Sequence, residues 1–315
     1  MRFLRTRLLD LGFVLFGVSV LTFLMIRLIP GDAVAIMLGA NAEVTPERIA
    51  VLRARIGLDQ PILTQYLHWI GAAVRGDFGV SLWTRRPVIE EIAGHMWPTI
   101  ELTVLALAIG SGLALPLGVL MATARGKGWG FALQLGSVAG LTIPSFWLGI
   151  MIILALTALA PDLRLLGYVS FHDDPLGNIG KLLLPAGVLA LPVLANLARL
   201  VRSAMLDALR QDYVRTARAK GFSERRVLFK HALRNALIPF VTSTGIMTGY
   251  LLGGAIVIEQ VFAIPGLGRL ILGAIAERDY SLVQATVLVV SLCFVLVNFA
   301  VDLLYAAIDP RVRIQ

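Results

Sequence analysis

Long apolar runs separated by charged segments are the dominant pattern along these 315 residues. A helix needs about 20 mostly apolar residues to cross the hydrocarbon core of a bilayer, and six segments reach that length. The pattern predicts an all-α integral membrane protein with six transmembrane helices. Pro144 is expected to kink the third span, and Pro185 and Pro192 the fourth. The predicted spans cover residues 9–29, 99–123, 131–159, 182–200, 237–258 and 282–306.

The polar segment between the first two predicted spans has a helical pattern of its own. Thr45, Pro46 and Glu47 provide an N-cap, a first-turn proline and a first-turn acid, which predicts a helix over residues 46–56. A second amphipathic helix is predicted over residues 61–73. The insert is a cap that packs on the bundle, a docking surface for an external partner, or both. The docking alternative rests on Pro46, Ile49, Tyr66 and Trp69.

The distribution of Lys and Arg predicts the orientation. The two ends and two of the short loops hold 17 basic residues, whereas the short loops on the opposite side hold four. Because basic residues accumulate on the cytoplasmic side of a membrane, both termini and the loop 199–234 are expected in the cytoplasm. The insert, residues 31–98, is then external.

Composition narrows the classes of function. Only 15% of the residues are charged and the mean hydropathy is +0.81, which places the chain in lipid. The formal net charge of +8 is concentrated in the loop 199–234, where ten basic residues face three acidic ones. Membrane topology and lipid headgroups account for that charge without nucleic acid. The single cysteine and four scattered histidines have no metal-ligand spacing, so no metal site is expected.

The same loop contains the most informative local pattern. Asp212 is predicted to N-cap a short helix that runs to Lys220, and Gly221 to close it in the left-handed conformation. Ser223 is predicted to cap the next helix, with Glu224 in its first turn. A short, separately capped helix held between longer helices transmits a rigid-body movement, which a floppy connector does not.

Several motifs together resemble the permease subunits of binding-protein-dependent ABC importers, and most closely the dipeptide, oligopeptide and nickel branch. The similarity covers essentially the whole chain. One departure is that Arg215 stands where the general family loop has a glutamate. The motifs are Ile29-Pro30-Gly31-Asp32, Gly57-Leu58-Asp59-Gln60-Pro61, Gly76-Asp77-Phe78-Gly79-Val80-Ser81, Tyr213 to Gly221, His231 to Pro239, Glu259-Gln260-Val261-Phe262, Pro265 to Arg269, Arg278-Asp279-Tyr280, Val301 to Tyr305 and Asp309-Pro310-Arg311.

The resemblance implies a type I importer fold in a bacterial plasma membrane. It also implies four kinds of neighbour: a second homologous permease subunit, two cytoplasmic ATPase subunits, an external solute-binding protein and membrane lipid. ATP and Mg²⁺ would be bound by the ATPase subunits, since this chain has no Walker A loop; no cofactor, catalytic residue or nucleic-acid partner is expected here. The coupling helix in contact with the ATPase would comprise Tyr213, Arg215, Thr216, Ala217, Lys220 and Gly221.

On this basis the chain divides into four parts. Residues 1–30 form the first transmembrane helix and residues 31–94 the external insert. Residues 95–306 form the transmembrane domain with its coupling loop at 199–235, and residues 307–315 a cytoplasmic tail.

Small residues recur at intervals of four in two predicted spans, a spacing that lets helix backbones approach closely. They serve either the interface with the second permease or packing within the chain. These residues are Gly245, Gly249 and Gly253 in the fifth span and Gly136 and Gly140 in the third.

Three other functions compete with that of a peptide importer. A nickel-chelate or other small-solute importer belongs to the same class and remains open. A stand-alone secondary transporter would show inverted repeats or a lane of buried charges, and neither is evident. An intramembrane hydrolase would need a nucleophile and a base at membrane depth, but no histidine falls within a predicted span.

Overall fold

The computed structural model describes residues 2–28, 59–124, 126–160 and 166–308. Within these ranges the regular structure is helical, with one isolated antiparallel bridge between Val80 and Pro87, so the all-helical prediction is confirmed. The helices are α1 (Arg2–Leu28), α2 (Ile62–Val74), α3 (Val88–Thr123), α4 (Gly128–Thr142), α5 (Ser145–Leu159), α6 (Pro175–Leu209), α7 (Asp212–Ala219), α8 (Glu224–Phe262), α9 (Leu267–Ala276) and α10 (Tyr280–Ile308).

Four of the described helices, α3, α6, α8 and α10, are long and apolar enough to cross a membrane. The pair α4 and α5 raises the number to five if the two helices together form one span. The apolar part of α1, Leu9–Met25, is shorter than each of the helices α3, α6, α8 and α10. The described residues therefore contain four or five membrane-spanning elements by length and composition.

The third predicted span is broken rather than kinked. Residues 131–159 fall in two helices, α4 and α5, which are bent by 101°. Pro144 lies at the break, where its ring removes a helical N–H and disfavours the helical region for the preceding residue. Ile143 accordingly has φ −75° and ψ 122°. Each helix of 15 residues is only about 22 Å long, too short to cross the membrane alone.

Prolines inside the other helices leave them continuous. Pro185 and Pro192 both lie within the 35 residues of α6, so the kinks predicted there do not break the element. α6 supplies much of the core of the larger of two compact units, which comprises residues 98–268 and 296–315. The buried core of that unit includes Leu102, Leu182, Leu189, Leu197, Leu251, Ile258 and Phe262.

A stripe of small residues on α3 lets this helix lie close to α6. A Cβ atom placed on Gly110 would lie 3.0 Å from Cγ1 of Val193, and one on Gly118 would lie 2.5 Å from Cβ of Val201. Backbones approach this closely only where side chains are minimal. The predicted small-residue stripes did not include this one, although its four-residue spacing is visible in the sequence. The buried members of the stripe are Ala106, Gly110, Ala114, Gly118 and Ala122.

The glycines predicted to serve a permease interface or internal packing divide between these roles. Gly245 faces Val301 of the same chain, whose side chain occupies the place of a Cβ, and Gly249 is buried. Gly140 lies near Ala195 of α6. Gly253 and Gly136 are exposed with no other side chain within 4 Å, so these two alone remain candidates for an interface.

The second compact unit comprises residues 1–97 and 269–295. Its helix α2 confirms the helix predicted over 61–73, with Pro61 at the N-cap position. Three rings lie together here: Phe23 of α1 is 5.3 Å from Tyr66 and 5.8 Å from Trp69 between centroids. The Tyr66 hydroxyl also hydrogen-bonds with Ser19, at 2.8 Å.

Candidate functional site

The short helix predicted in the loop between the fourth and fifth predicted spans is present as α7. Its N-terminus differs from the prediction. Gln211 holds the N-cap position without a side-chain hydrogen bond, and Asp212 is the first helical residue. The Asp212 carboxylate is exposed and lies 3.5 Å from Arg215. Asp212 therefore stabilises the first turn through its charge and does not cap the helix.

Gly221 closes α7 as predicted. Its φ is +78°, in the left-handed region that residues with a Cβ enter only at a cost. Its N–H donates to the carbonyl of Arg218 at 2.9 Å, and the N–H of Phe222 donates to the carbonyl of Ala217 at 3.3 Å. This pair of bonds is a Schellman motif, so the chain turns sharply and in a fixed direction after α7.

The inner face of α7 packs on the beginning of α8. Val214 and Ala217 are buried against Val227, and Leu209 and Phe222 border this small cluster. The helix has only eight residues, too few to be stable in isolation. Burial of this face is what keeps it helical.

Two polar contacts tie α7 to α8 at points beyond the apolar cluster. Asn235 donates from Nδ2 to the hydroxyl of Tyr213 at 2.6 Å. Arg218 forms a two-pronged ion pair with Glu224, at 2.8 and 3.2 Å. The hydrogen bond from Arg218 lowers the pKa of Glu224 below its usual value, so the carboxylate stays ionised throughout the physiological range.

Aromatic stacking strengthens the same connection. The ring of Phe222 stacks on His231, with centroids 5.7 Å apart and planes within 13°, and the Arg226 guanidinium lies 4.6 Å from the centre of the Phe222 ring. Residues Val227–Ala232 form a π-helical turn within α8. Such turns are rare and often occur at functional sites. Neither the π turn nor the roles of Phe222 and His231 followed from the helical periodicity.

The six residues predicted to form the coupling helix fall into two groups. Ala217 is buried and Gly221 turns the chain, so both position the helix. Four residues are exposed and available to a partner: Tyr213, Arg215, Thr216 and Lys220. The arrangement is a short helix that is held rigidly on one face. Its outer face is free among the described residues, and its inner face is fixed to a helix of 39 residues.

The family motifs near the other end of α8 also meet in space. Glu259 is fully buried. Its carboxylate accepts hydrogen bonds from the Thr99 hydroxyl at 2.6 Å and from the N–H of Gly268 at 2.7 Å, while the N–H of Leu267 donates to Thr99 at 2.8 Å. A Cβ on Gly268 would overlap the backbone of Ile256. The Glu259 motif and the glycine-rich motif are thus the two halves of one helix cap at the start of α9.

A second pair of motifs meets in the unit that contains α1 and α2. Asp279 is buried and caps the start of α10 by accepting the N–H of Leu282 at 3.1 Å. Its other oxygen accepts from the Ser81 hydroxyl at 2.5 Å and from the N–H of Leu82 at 3.0 Å. The motif that ends at Ser81 and the motif around Asp279, nearly 200 positions apart, therefore form one joint.

The side chains of a polar cluster near the start of α6 likewise form hydrogen bonds with one another. The Glu101 carboxylate accepts hydrogen bonds from the Tyr168 hydroxyl and from Asn178, each at 2.8 Å. Burial and the Glu101 carboxylate raise the pKa of Tyr168 to about 12. The hydroxyl therefore remains a proton donor in this bond, and the cluster holds a loop in place.

Two of the candidate docking residues have the environment of the cap alternative, and their docking role stays a prediction. Tyr66 and Trp69 are half-buried against Phe23, and the exposed apolar residues of α2 include Leu63 and Leu67. The rings of Tyr66 and Trp69 thus belong to a cap that packs on α1. Pro46 and Ile49 lie outside the described residues.

No group of three or more His, Cys, Asp or Glu residues is arranged to hold a metal ion in the part of the chain that the structure describes.

Comparison with protein families gives two matches that together cover most of the chain. Residues 114–314 match the binding-protein-dependent transport system inner membrane component. Residues 1–103 match the N-terminal part of the binding-protein-dependent transport system membrane component. The first match contains α7 and both halves of the Glu259 cap.

Curated relatives match over nearly the whole length. A Brucella abortus protein, whose name assigns it provisionally to a peptide transport system as a permease, is 42% identical over 94% of both chains. The glutathione transport system permease protein of Escherichia coli K12 is 42% identical over 98% of this chain and 97% of its own. At this identity and coverage, and with a family match over residues 114–314, the chain belongs to the family of binding-protein-dependent transport system inner membrane components.

Proposed function

We propose that the chain forms half of the translocation pathway of an ATP-binding-cassette importer for short peptides. The observation that carries the proposal is α7. Its buried face, the Tyr213–Asn235 bond and the Arg218–Glu224 ion pair fix it to α8, while Tyr213, Arg215, Thr216 and Lys220 remain exposed. A short helix that is fixed on one face and exposed on the other can transmit the movement of a partner that contacts the exposed face.

The mechanism follows from this rigidity. Two cytoplasmic ATPase subunits bind ATP and Mg²⁺ and hydrolyse the nucleotide, and one of them receives the outer face of α7. When the ATPase subunits approach each other, α7 moves with its partner. Because α7 is locked to α8, the displacement passes along the 39 residues of this helix into the membrane, where it opens or closes the pathway.

The complete transmembrane part has six spans in the type I importer fold, with α1 as the first span and α4 and α5 together as the third. Both termini and α7 lie on the cytoplasmic side, and the insert between the first two spans faces the solute-binding protein. A homologous permease subunit completes the pathway. Exposed Gly253 and Gly136 are the remaining small-residue candidates for contact with it.

Short peptides are the preferred substrate class because the two relatives bear peptide and glutathione names, and glutathione is itself a tripeptide. The nickel-chelate alternative draws no comparable support from these relatives. A stand-alone secondary transporter is disfavoured because it has no cytoplasmic partner to contact the exposed face of the rigidly held α7.

Affinity purification from native membranes tests the proposal. We expect a second permease and ATPase subunits to copurify with the tagged chain. We also expect reconstituted vesicles to take up a labelled dipeptide or tripeptide only when ATP and the loaded binding protein are both present. ATP-independent uptake by the purified chain alone would overturn the proposal in favour of a secondary transporter.

A further inference from the structure

The helix α2 exposes a row of apolar side chains, although it lies in the segment predicted to be external. Leu63, Leu67, Ile70 and Val74 recur at intervals of three and four positions, so they lie on one face of the helix. In the part of the chain that the structure describes, Leu63, Leu67 and Val74 are 69%, 56% and 82% exposed, and Ile70 is partly buried. We call these four residues the apolar face of α2.

The other two sides of α2 differ from the apolar face in their surroundings. On one side, Tyr66 and Trp69 pack on Phe23 of α1. At 3.6 residues per turn, Thr64 and His68 fall on the remaining side, and His68 is exposed. A helix with one side on protein, one polar side and one exposed apolar side is typical of the boundary between water and an apolar phase.

The composition and length of α2 agree with such a boundary. Its 13 residues include no Asp, Glu, Lys or Arg, whereas exposed Asp59 and Arg75 stand at its two ends. The helix is about 20 Å long, too short for a hydrocarbon core of about 30 Å. Apolar helices of this length are buried core helices or lie at a membrane interface, and the exposure of the apolar face disfavours a core helix.

The contact with α1 shows where α2 lies along that helix. The Tyr66 hydroxyl hydrogen-bonds with Ser19 at 2.8 Å, and Ser19 precedes Met25, the end of the apolar part of α1, by about 9 Å along the axis. Leu21 and Met25 of α1 are themselves exposed beside this contact. If α1 crosses the membrane, the Tyr66 side chain therefore reaches below its surface, and the helix that carries it lies at the headgroup boundary, where Tyr and Trp are enriched.

We propose that the apolar face of α2 is inserted among the lipids of the outer leaflet, with Thr64 and His68 turned toward the water. This inference rests on the proposed function, in which α1 is the first span and the insert is external. Lipid is the partner of this face because the face is uncharged and is continuous with a helix that is apolar at the same depth. The contact holds the insert at a fixed height on the membrane, which gives its polar side a defined position.

Spin-label accessibility in vesicles that contain the assembled importer tests the inference. In a Cys293→Ser background, a nitroxide is attached to Leu67→Cys in one variant and to the matched neighbour His68→Cys in another. Oxygen, which concentrates in hydrocarbon, should relax the label at position 67, and a water-soluble nickel chelate should relax the label at position 68. We expect the ratio of oxygen to nickel accessibility to be severalfold higher at 67. Equal ratios, or a label at 67 that neither reagent reaches, would overturn the lipid contact.

A third label separates this inference from the proposed function. Leu21→Cys lies on α1 and should be reached by oxygen if α1 is a span. Oxygen access at 21 with nickel access at 67 would overturn the lipid contact of α2 and leave α1 as the first span. Nickel access at 21 would instead overturn the assignment of α1 as a span.

Photo-crosslinking identifies the occupant of the apolar face without a cysteine label. A benzophenone amino acid at Leu67 should give adducts with lipid, whereas the same group at His68 should give none or few. Adducts from position 67 with the solute-binding protein or with the second permease would overturn the proposal, because a protein would then cover the face.

Discussion

Gly221 is the residue whose backbone conformation bears most directly on the proposed function. Its φ of +78° is favourable only for a residue without a Cβ, yet a Cβ there would meet no other atom within 4 Å. A substitution at this position therefore strains the backbone without a steric clash. The Schellman turn is the element that this strain would disturb.

We expect Gly221→Val to abolish most peptide uptake while the complex still assembles in the membrane. The substitution costs roughly 1–2 kcal/mol in backbone conformation, and it tilts α7 away from its contacts with α8. Binding-protein-stimulated ATPase activity and uptake in vesicles measure the effect. Gly221→Asn should retain more activity, because asparagine tolerates the left-handed region.

Gly126→Val is the matched control for this prediction. Gly126 has a φ of +80° and equally open surroundings, but it lies in the turn between α3 and α4. It should share the backbone strain and leave the stimulation of ATPase activity nearly unchanged. Wild-type transport by a Gly221→Val complex would remove α7 from the mechanism.

Glu259 supports a second prediction at this scale. Glu259→Gln preserves the volume but cannot accept hydrogen bonds from both the Thr99 hydroxyl and the N–H of Gly268. Leaving a buried donor unpaired costs about 1–3 kcal/mol, so the melting temperature of the detergent-purified complex should fall, and Glu259→Ala should lower it further. Exposed Glu277→Gln is the control. Equal melting temperatures for all these variants would contradict the cap.

Among the elements, α3 and α6 depend on contact between their backbones. The small residues of α3 form a continuous buried stripe, and α6 fills the space beside it with valines and carbonyl oxygens. Larger residues on the stripe would push the two helices apart. Both helices are long enough to span the membrane, so this packing sets the spacing within the bundle.

The variant Gly118→Ala should therefore destabilise the protein by about 1–3 kcal/mol through overpacking. Its new Cβ would lie 2.5 Å from Cβ of Val201 and 2.7 Å from the carbonyl oxygen of Ala198. Gly112→Ala, on the same helix with no atom within 4 Å, should be neutral or slightly stabilising. Thermal unfolding and folded yield in detergent distinguish the two, and a neutral Gly118→Ala would show that the helices can separate without cost.

At the scale of the whole molecule, orientation is the property that the distribution of basic residues predicts. The measurement uses a Cys293→Ser background, which removes the single native thiol. His68→Cys should react with an impermeant maleimide in intact cells, and Lys220→Cys should react only after permeabilisation. Both positions are exposed, so accessibility depends on the side of the membrane. The opposite labelling pattern would invert the topology.

The chain also divides into two compact units that are discontinuous in sequence. Each unit contains one buried carboxylate that joins two family motifs: Asp279 with Ser81 in one, and Glu259 with Gly268 in the other. Each buried carboxylate accepts a hydrogen bond from the hydroxyl of a remote segment, Ser81 for Asp279 and Thr99 for Glu259, and each also accepts a backbone N–H.

The sequence by itself determined the properties that depend on nearby residues. The length of the apolar runs predicted most of the long helices, because every apolar residue of a run prefers the hydrocarbon core of the membrane to water. The helix over 61–73 followed from apolar spacing, and the end of α7 at Gly221 followed from the local demand for a positive φ. The resemblance to importer permeases, carried by motifs of adjacent residues, was confirmed by the family matches.

Only the tertiary structure decided the properties that depend on remote partners. The angle of 101° at Pro144 did not follow from the presence of a proline, since Pro185 and Pro192 leave α6 a continuous helix. Ala217 and Thr216 are neighbours in the motif, yet one is buried and the other exposed because Val227 covers one face of α7. The contacts of Tyr213 with Asn235 and of Glu259 with Thr99 likewise join residues that local periodicity cannot pair. Such contacts arise only when long-range packing brings the segments together.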